Sequence, residues 1–301
     1  MYSVIRIKNW GEAKTTFSRL DNWIFRGHAD THWGLKTTIE RAAERYKMDS
    51  MVLDSQEKYL LRSFQRRAHH YYSDPPATQD AIEWLALIQH HGGPTRLLDF
   101  TFSYYIASFF AMEKAEGDCA VWCIHQPFLD MKTLHKKIES FHFIGYEFND
   151  KKSEIAKEML SQDSNTTRIF RGEQPLKNEK MVLSVEPNRM NERMSHQKGI
   201  FLMPFDITLP FEANLSSTLE FSFTQFDEKN ATILKPSDLE KYELLHEHSI
   251  IKIVIPREVC PEGMFDLYNM NITAESLFPG LDGFARSLDL AMRQYEQATD
   301  Q

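Results

Sequence analysis

Helix-forming and strand-forming segments follow one another irregularly along this chain. The clearest helix signal begins at Asp80 and ends at Gly92-Gly93-Pro94, and the next segment, 95–101, is too short and too closely bounded by Gly and Pro to be a helix. Further helices are predicted at 38–46, 50–72 and 103–115, and strands at 22–28, 119–124, 180–185, 199–205 and 249–255. Without a regular β-α-β order, the pattern favours an α+β fold, with a mixed or mainly antiparallel sheet flanked by helices, over a doubly wound parallel sheet.

The 301 residues contain no internal repeat and no Gly/Ser-rich or Pro-rich linker. We therefore expect a single domain over 1–301. The polar stretches 132–179 and 209–245 predict surface insertions with helical pieces, around 153–160 in the first and from Ser237 in the second. Apolar residues at helical intervals predict an amphipathic C-terminal helix over 284–298.

Charge and hydropathy exclude two classes of partner. A formal net charge of -8 removes the broad positive surface of a general nucleic-acid binder, although a local basic groove for an RNA loop or single-stranded end remains compatible with it. No run approaches 18 apolar residues, and the N-terminus lacks the apolar centre of a signal peptide. We expect a cytoplasmic protein with no membrane partner.

The three cysteines predict neither a disulfide framework nor a zinc site. Cys119, Cys123 and Cys260 form an odd and sparse set. On the predicted strand Cys119 and Cys123 share a face but lie roughly 13 Å apart at about 3.3 Å per residue, too far to share one tetrahedral ion.

Arginines beside glycine turns are the first candidates for ligand binding. Arg26 precedes Gly27 at the end of a predicted strand, and Arg96 follows the Gly-Gly-Pro turn. The guanidinium fork suits a phosphate or carboxylate, so these arginines predict a site for a small phosphorylated ligand or a nucleotide. The alternative is structural, with Arg26 paired to Asp99 or Asp282.

Polar residues around the same turn are candidates for catalysis or ligand contact. His90 or His91 is expected to handle a proton, and a metal site is not predicted because neighbouring helical side chains diverge by about 100°. Their alternative role is to cap the helix C-terminus. Asp99, among apolar neighbours, is expected to orient an arginine or histidine, and its alternative role, like that of Thr95 and Thr101, is in capping and turns.

Several sequence blocks resemble the FRG domain family, which is named for its Phe-Arg-Gly signature. They are WIFRG (23–27), WGL (33–35), QHHGGPTRLLDFT (89–101), ASFFA (107–111), HQKGIF (196–201) and LFPGLDG (277–283). The blocks extend over 23–283, and the resemblance adds Gly27, Gly92 and Asp282 to the candidate ligand-binding residues. It also implies a protein of bacteria or phages, such as a defence effector or a toxin.

The order of these features is similar to that of the ADP-ribosyltransferase superfamily. In that superfamily an early Arg contacts the NAD phosphates, a middle Ser/Thr segment supports the nicotinamide pocket and a late Glu stabilises an oxocarbenium-like centre. Arg26-Gly27 matches the first feature and TFS (101–103) loosely matches the second. A Glu-X-Glu triplet is missing from the late region, where Gln197 lies in a family-like block without a carboxylate.

The resemblance therefore implies NAD as a cofactor and a transferase or glycohydrolase as the activity. We expect the candidate residues to meet in one cleft, with His90, His91, Asp99 and Gln197 as catalytic candidates. The alternatives are a non-catalytic binding module with a protein target, and a protein that binds or processes RNA.

Overall fold

A computed structural model describes residues 2–78, 80–141, 180–220, 231–240 and 248–288. Within these residues eight strands form one sheet. The strands are β1 (Ser3–Arg6), β2 (Trp23–His28), β3 (Leu98–Thr101), β4 (Cys119–His125), β5 (Val182–Val185), β6 (Gly199–Pro204), β7 (Thr232–Ile233) and β8 (Ile250–Ile255).

The helices connect these strands without a repeating unit. They are α1 (Trp10–Phe17), α2 (Thr38–Tyr46), α3 (Leu53–Ala68), α4 (Ala81–His90), α5 (Tyr104–Met112), α6 (Gln126–Phe141), α7 (Glu192–His196), α8 (Phe211–Thr218), α9 (Cys260–Asn269) and α10 (Ala274–Leu277). A further helix, α11, covers 281–288, where the described part of the chain ends. Short 3-10 turns cover Ser50–Val52, Pro236–Glu240 and Arg257–Val259.

The strand order across the sheet is β5-β6-β3-β2-β4-β8-β1-β7. The neighbours from β5 to β8 run antiparallel, whereas β1 lies parallel to both β8 and β7. The sheet is therefore mixed and mainly antiparallel, and the predicted α+β class is confirmed.

Helices cover both faces of the sheet because successive side chains of the central strands point to opposite faces and both sets are apolar. Trp23 and Phe25 of β2 join one core cluster with α1, α5 and α9, whereas Ile24 joins a second cluster with Leu129 of α6 and Phe211 of α8. Toward the β5 edge, α4 packs on the first face, and α3 packs against α4. The candidate residues lie where β2 and β3 approach α4.

Most of the predicted helices and strands are present, with ends that differ by a few residues. The prediction for 50–72 becomes a 3-10 turn followed by α3, and 95–101 contains the strand β3. Ser103 caps α5 by accepting a hydrogen bond from the Ile106 amide, whereas Asp80 makes no side-chain cap at α4. β1, β7 and several short helices were not predicted from the sequence.

Two parts of the predicted surface insertions are instead part of the core. Residues 132–141 continue α6, and Thr133 is buried and donates a hydrogen bond to the Val182 carbonyl. Phe211 and Leu215 of α8 are fully buried against the sheet. The surface prediction is wrong there for two reasons. A buried polar group that pairs with the backbone, such as Thr133, looks like a surface position in sequence, and α8 buries the large apolar residues of an otherwise polar segment. The predicted helical piece at 153–160 and the end of the C-terminal helix lie outside the described residues.

Candidate functional site

Gly27, the glycine of the Phe-Arg-Gly signature, allows α5 to pack directly on β2. A Cβ atom at this position would lie 2.0 Å from the Ala107 carbonyl oxygen and 2.6 Å from the Ala111 amide nitrogen. Both neighbours are helix backbone, which has little freedom to move aside. Gly27 is therefore a packing residue on the α5 face, and its predicted contact with a ligand is replaced by contact with a helix.

Arg26 lies on the opposite face of β2 from Phe25, at a fork between two strands. Within the described strands, β2 and β3 pair at one position, Phe25 opposite Thr101, whereas β2 and β4 pair at six. Beyond the shared position, the Arg26 Nη1 donates to the Asp99 carbonyl oxygen at 2.7 Å and lies 3.8 Å from the Asp99 Oδ2. The predicted structural pairing of Arg26 with Asp99 is therefore present.

The Arg26 side chain retains 16% of its exposure at this fork. Burial lowers the pKa of its guanidinium to about 10, while the Asp99 carboxylate opposes that fall and the charge of Arg41 adds to it. Arg26 is thus a fixed cation at neutral pH, reached by solvent along one edge.

His28 holds the other side of the Arg26 guanidinium and is neutral. Its Nε2 accepts a hydrogen bond from the Arg26 Nε at 3.1 Å, so its Nδ1 carries the proton and donates to the Trp33 carbonyl oxygen at 3.2 Å. Burial, together with the Arg26 charge, lowers the pKa of His28 to about 3. The Trp33 ring, 54% exposed, packs edge-on against His28 and leaves aromatic surface open beside the fork.

Gln89, which the sequence analysis did not select, orients Asp99. The Gln89 Nε2 donates to the Asp99 Oδ2 at 2.9 Å and to the Leu97 carbonyl at 3.1 Å. Its Oε1 accepts from the hydroxyls of Thr38 and Thr95 at 3.0 and 2.5 Å. With both ends of this amide held, the Asp99 side chain has a fixed position while 57% of it remains exposed.

A second arginine, Arg193 at the start of α7, lies near this carboxylate. Burial lowers the pKa of Arg193, and the Asp99 charge opposes the change, which places the two groups within electrostatic range. The Arg193 guanidinium stacks on the Phe278 ring at 4.6 Å, and Arg286 stacks on the same ring at 4.2 Å. Arg286 is neutralised by Glu113. Among the described residues, no carboxylate lies within ion-pair distance of Arg193.

Arg96 is not available to a ligand, which corrects the prediction that it binds phosphate. The side chain is 1% exposed, and its Nε donates to the Glu57 Oε2 at 2.5 Å. The other Glu57 oxygen accepts from the Arg96 backbone amide at 2.8 Å, and Asp54 lies 3.6 Å from the Nη2. Glu57 is itself 1% exposed, so the two residues form a buried structural ion pair between α3 and the segment before β3.

Three other predicted site residues have internal partners. Thr95 is fully buried against Gln89. Thr101 donates to the backbone carbonyl of Gln197 at 2.7 Å, and the Gln197 side chain donates to the Leu277 carbonyl at 3.0 Å. These contacts connect β3, α7 and α10, so the hydroxyls and the amide support the framework around the site.

The turn after α4 is a helix C-terminus of ordinary construction. Gly92 has a φ of +79°, the left-handed conformation that favours glycine, and its amide donates to the Gln89 carbonyl at 3.0 Å. His91 is exposed and His90 is half-buried, with ring centroids 4.8 Å apart. Burial lowers the pKa of His90, and the charges of His91 and Arg193 add to this effect. His90 therefore lies within electrostatic range of Arg193.

Asp282 is not joined to the cluster. It is exposed on the first turn of α11, and among the described residues no hydrogen bond or ion pair links it to Arg26 or Asp99. The glycines around it have local roles, since Gly280 has a φ of +109° and a Cβ on Gly283 would lie 1.8 Å from the Phe278 carbonyl oxygen.

The cysteines and histidines form no metal site within the described ranges. Cys119 and Cys123 are separately buried free thiols, and the Cys119 sulfur lies 3.8 Å from that of Cys260. The part of the chain that the structure describes also has no helix with both the length and the apolar character needed to cross a bilayer.

The structure thus brings the predicted residues Arg26 and Asp99 together with Arg193 and other residues that were not selected from the sequence as site residues. Gln89 lies inside a family-like block (89–101) and His28 directly follows another (23–27), so the position of each in the sequence was a usable signal. Trp33 and Phe278 also lie inside family-like blocks, WGL (33–35) and LFPGLDG (277–283), but their apolar character gave no reason to select them as ligand contacts.

Comparison with known proteins gives one family match, which covers the first part of the chain. Residues 21–119 match the family model described as FRG domain. This range includes β2, α4, β3 and α5, and hence Arg26, Gly27, Gln89 and Asp99. No curated protein and no solved structure gives a significant match.

Proposed function

We propose that the protein binds a phosphate-bearing nucleotide at the fork between β2 and β3, which lies within the FRG domain at residues 21–119. The observation that carries the proposal is the charge of the cluster. Asp99 lies 3.8 Å from the Arg26 Nη1 and also acts electrostatically on Arg193, and Arg41 acts on Arg26, so three cations surround one carboxylate in a protein of net charge -8.

Each cation contributes differently to anion binding. Hydrogen bonds to His28 and to the Asp99 carbonyl orient Arg26, so its guanidinium group is in position before a ligand binds. Arg193 is held by the Phe278 ring and, within the described chain, lacks an acidic partner at ion-pair distance. A diphosphate group offers enough oxygens for both guanidiniums at once.

Asp99 and Trp33 favour a nucleotide over a free phosphate ion. Among the described residues the Asp99 Oδ1 accepts no hydrogen bond, so it is available to a ribose hydroxyl. The exposed Trp33 ring beside His28 offers a stacking surface for a planar group. NAD combines all three groups, a diphosphate, ribose and planar rings, and is the first nucleotide to test.

The test is a titration of the purified protein with pyrophosphate, ADP and NAD by calorimetry. Arg193→Gln removes one cation without removing a buried partner, and we expect it to weaken binding of all three at least tenfold. Arg189→Gln is the matched control, because Arg189 lies four residues away in an exposed pair with Asp74. Equal binding by both variants, or no binding by the wild type, would refute the proposal.

A second candidate function is hydrolysis of the N-glycosidic bond of NAD. It is favoured by one observation, namely that Asp99 is an exposed carboxylate beside the proposed diphosphate site. Water would supply the oxygen that replaces nicotinamide on the ribose, so that NAD and water give ADP-ribose, nicotinamide and a proton. Asp99 would stabilise the positive charge that develops on the ribose.

Release of nicotinamide, followed by chromatography, tests this activity. We expect Asp99→Asn to abolish release while NAD still binds. Binding without release in the wild type would restrict the function to a binding module. A short single-stranded RNA in the same titration tests the remaining alternative, and tighter binding of RNA than of NAD would favour it.

A further inference from the structure

A cleft opens between the C-terminal halves of α3 and α4. Its volume is about 730 Å³, within the range of roughly 300–1,000 Å³ that is usual for small-molecule sites. The lining residues come from both helices and from the start of α7. They include Ser63, Arg67, Tyr71, Tyr72, His90, His91 and Asn191.

The lining combines flat apolar surfaces with a few hydrogen-bonding groups. Tyr71 and Tyr72 are 89% and 44% exposed, and both rings follow the end of α3 at the rim. Asn191 accepts a hydrogen bond from the Met194 amide through its Oδ1, which leaves its amide NH2 group to face a ligand. The Ser63 hydroxyl is a further donor and acceptor. Aromatic faces with a few donors and acceptors are what recognises a planar heteroaromatic ring.

The cleft adjoins the proposed phosphate site through Gln89, His90 and His91, the last two residues of α4 and the residue that follows it. Gln89 contacts Asp99, whereas His90 and His91 line the cleft. Arg193 lies two residues beyond Asn191 of the lining and within electrostatic range of both His90 and Asp99. One ligand can therefore extend from the cleft, past His90, to the arginines.

We infer that this cleft binds the heteroaromatic base of the nucleotide whose diphosphate lies on Arg193 and Arg26. The inference rests on the proposed function, because it assigns the base of the same ligand. His90, whose pKa is lowered by burial, is a hydrogen-bonding partner for the base or sugar, and the Arg67 guanidinium in the lining adds positive charge.

The experiment fills the cleft without altering Arg26 or Arg193. Ser63→Trp places a large ring in the cavity, and Ser55→Trp is the matched control on an exposed position of the same helix. The probes are adenosine, ADP and pyrophosphate, titrated into the full chain. We expect ADP to bind more tightly than pyrophosphate in the wild type, and Ser63→Trp to reduce ADP binding to the level of pyrophosphate.

A second pair of variants covers the case in which Ser63→Trp does not fold. Tyr72→Ala truncates a half-exposed ring, and Tyr59→Ala removes an exposed tyrosine of α3 outside the cleft. We expect about a 5- to 150-fold loss of ADP affinity in Tyr72→Ala alone, the range for removal of one stacking side chain.

The outcomes separate this inference from the function on which it rests. Equal affinity for ADP and pyrophosphate, or unchanged ADP binding in both cleft variants, would overturn the base site, while loss of pyrophosphate binding in Arg193→Gln would still support the phosphate site. Adenosine binding that Ser63→Trp abolishes, without any pyrophosphate binding, would support the base site and refute the phosphate site.

Discussion

Replacing Glu57 by Gln removes one charge from the buried ion pair with Arg96 and changes little else. Gln has nearly the same shape, and its Oε1 still accepts the hydrogen bond from the Arg96 backbone amide, which Glu57 receives at 2.8 Å. The guanidinium, however, loses its anion and meets an amide NH2 group in place of an oxygen at 2.5 Å.

The expected loss of unfolding free energy follows from the burial of both Glu57 and Arg96. Each side chain is 1% exposed, and leaving one charge of such a pair uncompensated costs about 3–5 kcal/mol. Asp54, 3.6 Å from the Arg96 Nη2 and 44% exposed, compensates in part, so we expect about 3 kcal/mol. At roughly 2–4 °C per kcal/mol, Tm falls by roughly 6–12 °C.

Urea denaturation of Glu57→Gln and of the double variant Glu57→Gln/Arg96→Met measures this cost. The double variant removes both charges and keeps the acceptor for the backbone amide, so we expect it to regain most of the lost free energy of unfolding. It should also bind ADP as the wild type does. A cost below about 1 kcal/mol for the single variant, or weakened ADP binding in the folded double variant, would refute the structural role of Arg96.

Two further predictions concern the residues that flank Arg26. Gly27→Ala places a Cβ 2.0 Å from the Ala107 carbonyl oxygen and should lower the free energy of unfolding, measured in urea, by about 3 kcal/mol or more. Gly117 has open space around it, so the control Gly117→Ala should change the free energy of unfolding by less than about 0.5 kcal/mol. Equal losses in the two variants would contradict the packing role of Gly27. His28 has a folded pKa of about 3, below its ordinary value of 6.5, so the unfolded chain binds the extra proton and stability is lost as pH falls below about 6.5. The advantage of the wild type over His28→Gln should shrink by about 2 kcal/mol between pH 6.5 and pH 5, at about 1.4 kcal/mol per pH unit, and a constant difference would contradict a buried neutral His28. The opposite slope from Glu212, whose pKa burial raises to about 7, is present in both proteins and cancels.

The sequence predicted the central part of the fold because its signals are local. Alternation of Trp23, Ile24 and Phe25 predicts a strand with two apolar faces, and the two core clusters contain these residues as alternation requires. The Ser103 cap and the Gly92 stop depend on neighbours within a few residues, and both are present. Local patterns of this kind survive in the folded chain because each lowers the free energy of its own segment.

The roles of individual polar residues were harder to predict because distant partners decide them. Arg26 and Arg96 have the same chemistry and similar surroundings in sequence, yet Arg96 meets Glu57 across 39 residues and becomes buried. Gly27 fits a ligand approach as well as a helix contact, and only the position of α5, fixed by tertiary packing, separates the two.

NMR of the arginine side chains during titration with ADP tests the proposed nucleotide site without any substitution. We expect the Nε–H signals of Arg26 and Arg193 to shift together, with one dissociation constant that matches calorimetry, while the Arg96 signal stays in place. Shifts confined to exposed arginines such as Arg189, or no saturable shift at Arg26 and Arg193, would contradict the proposed site.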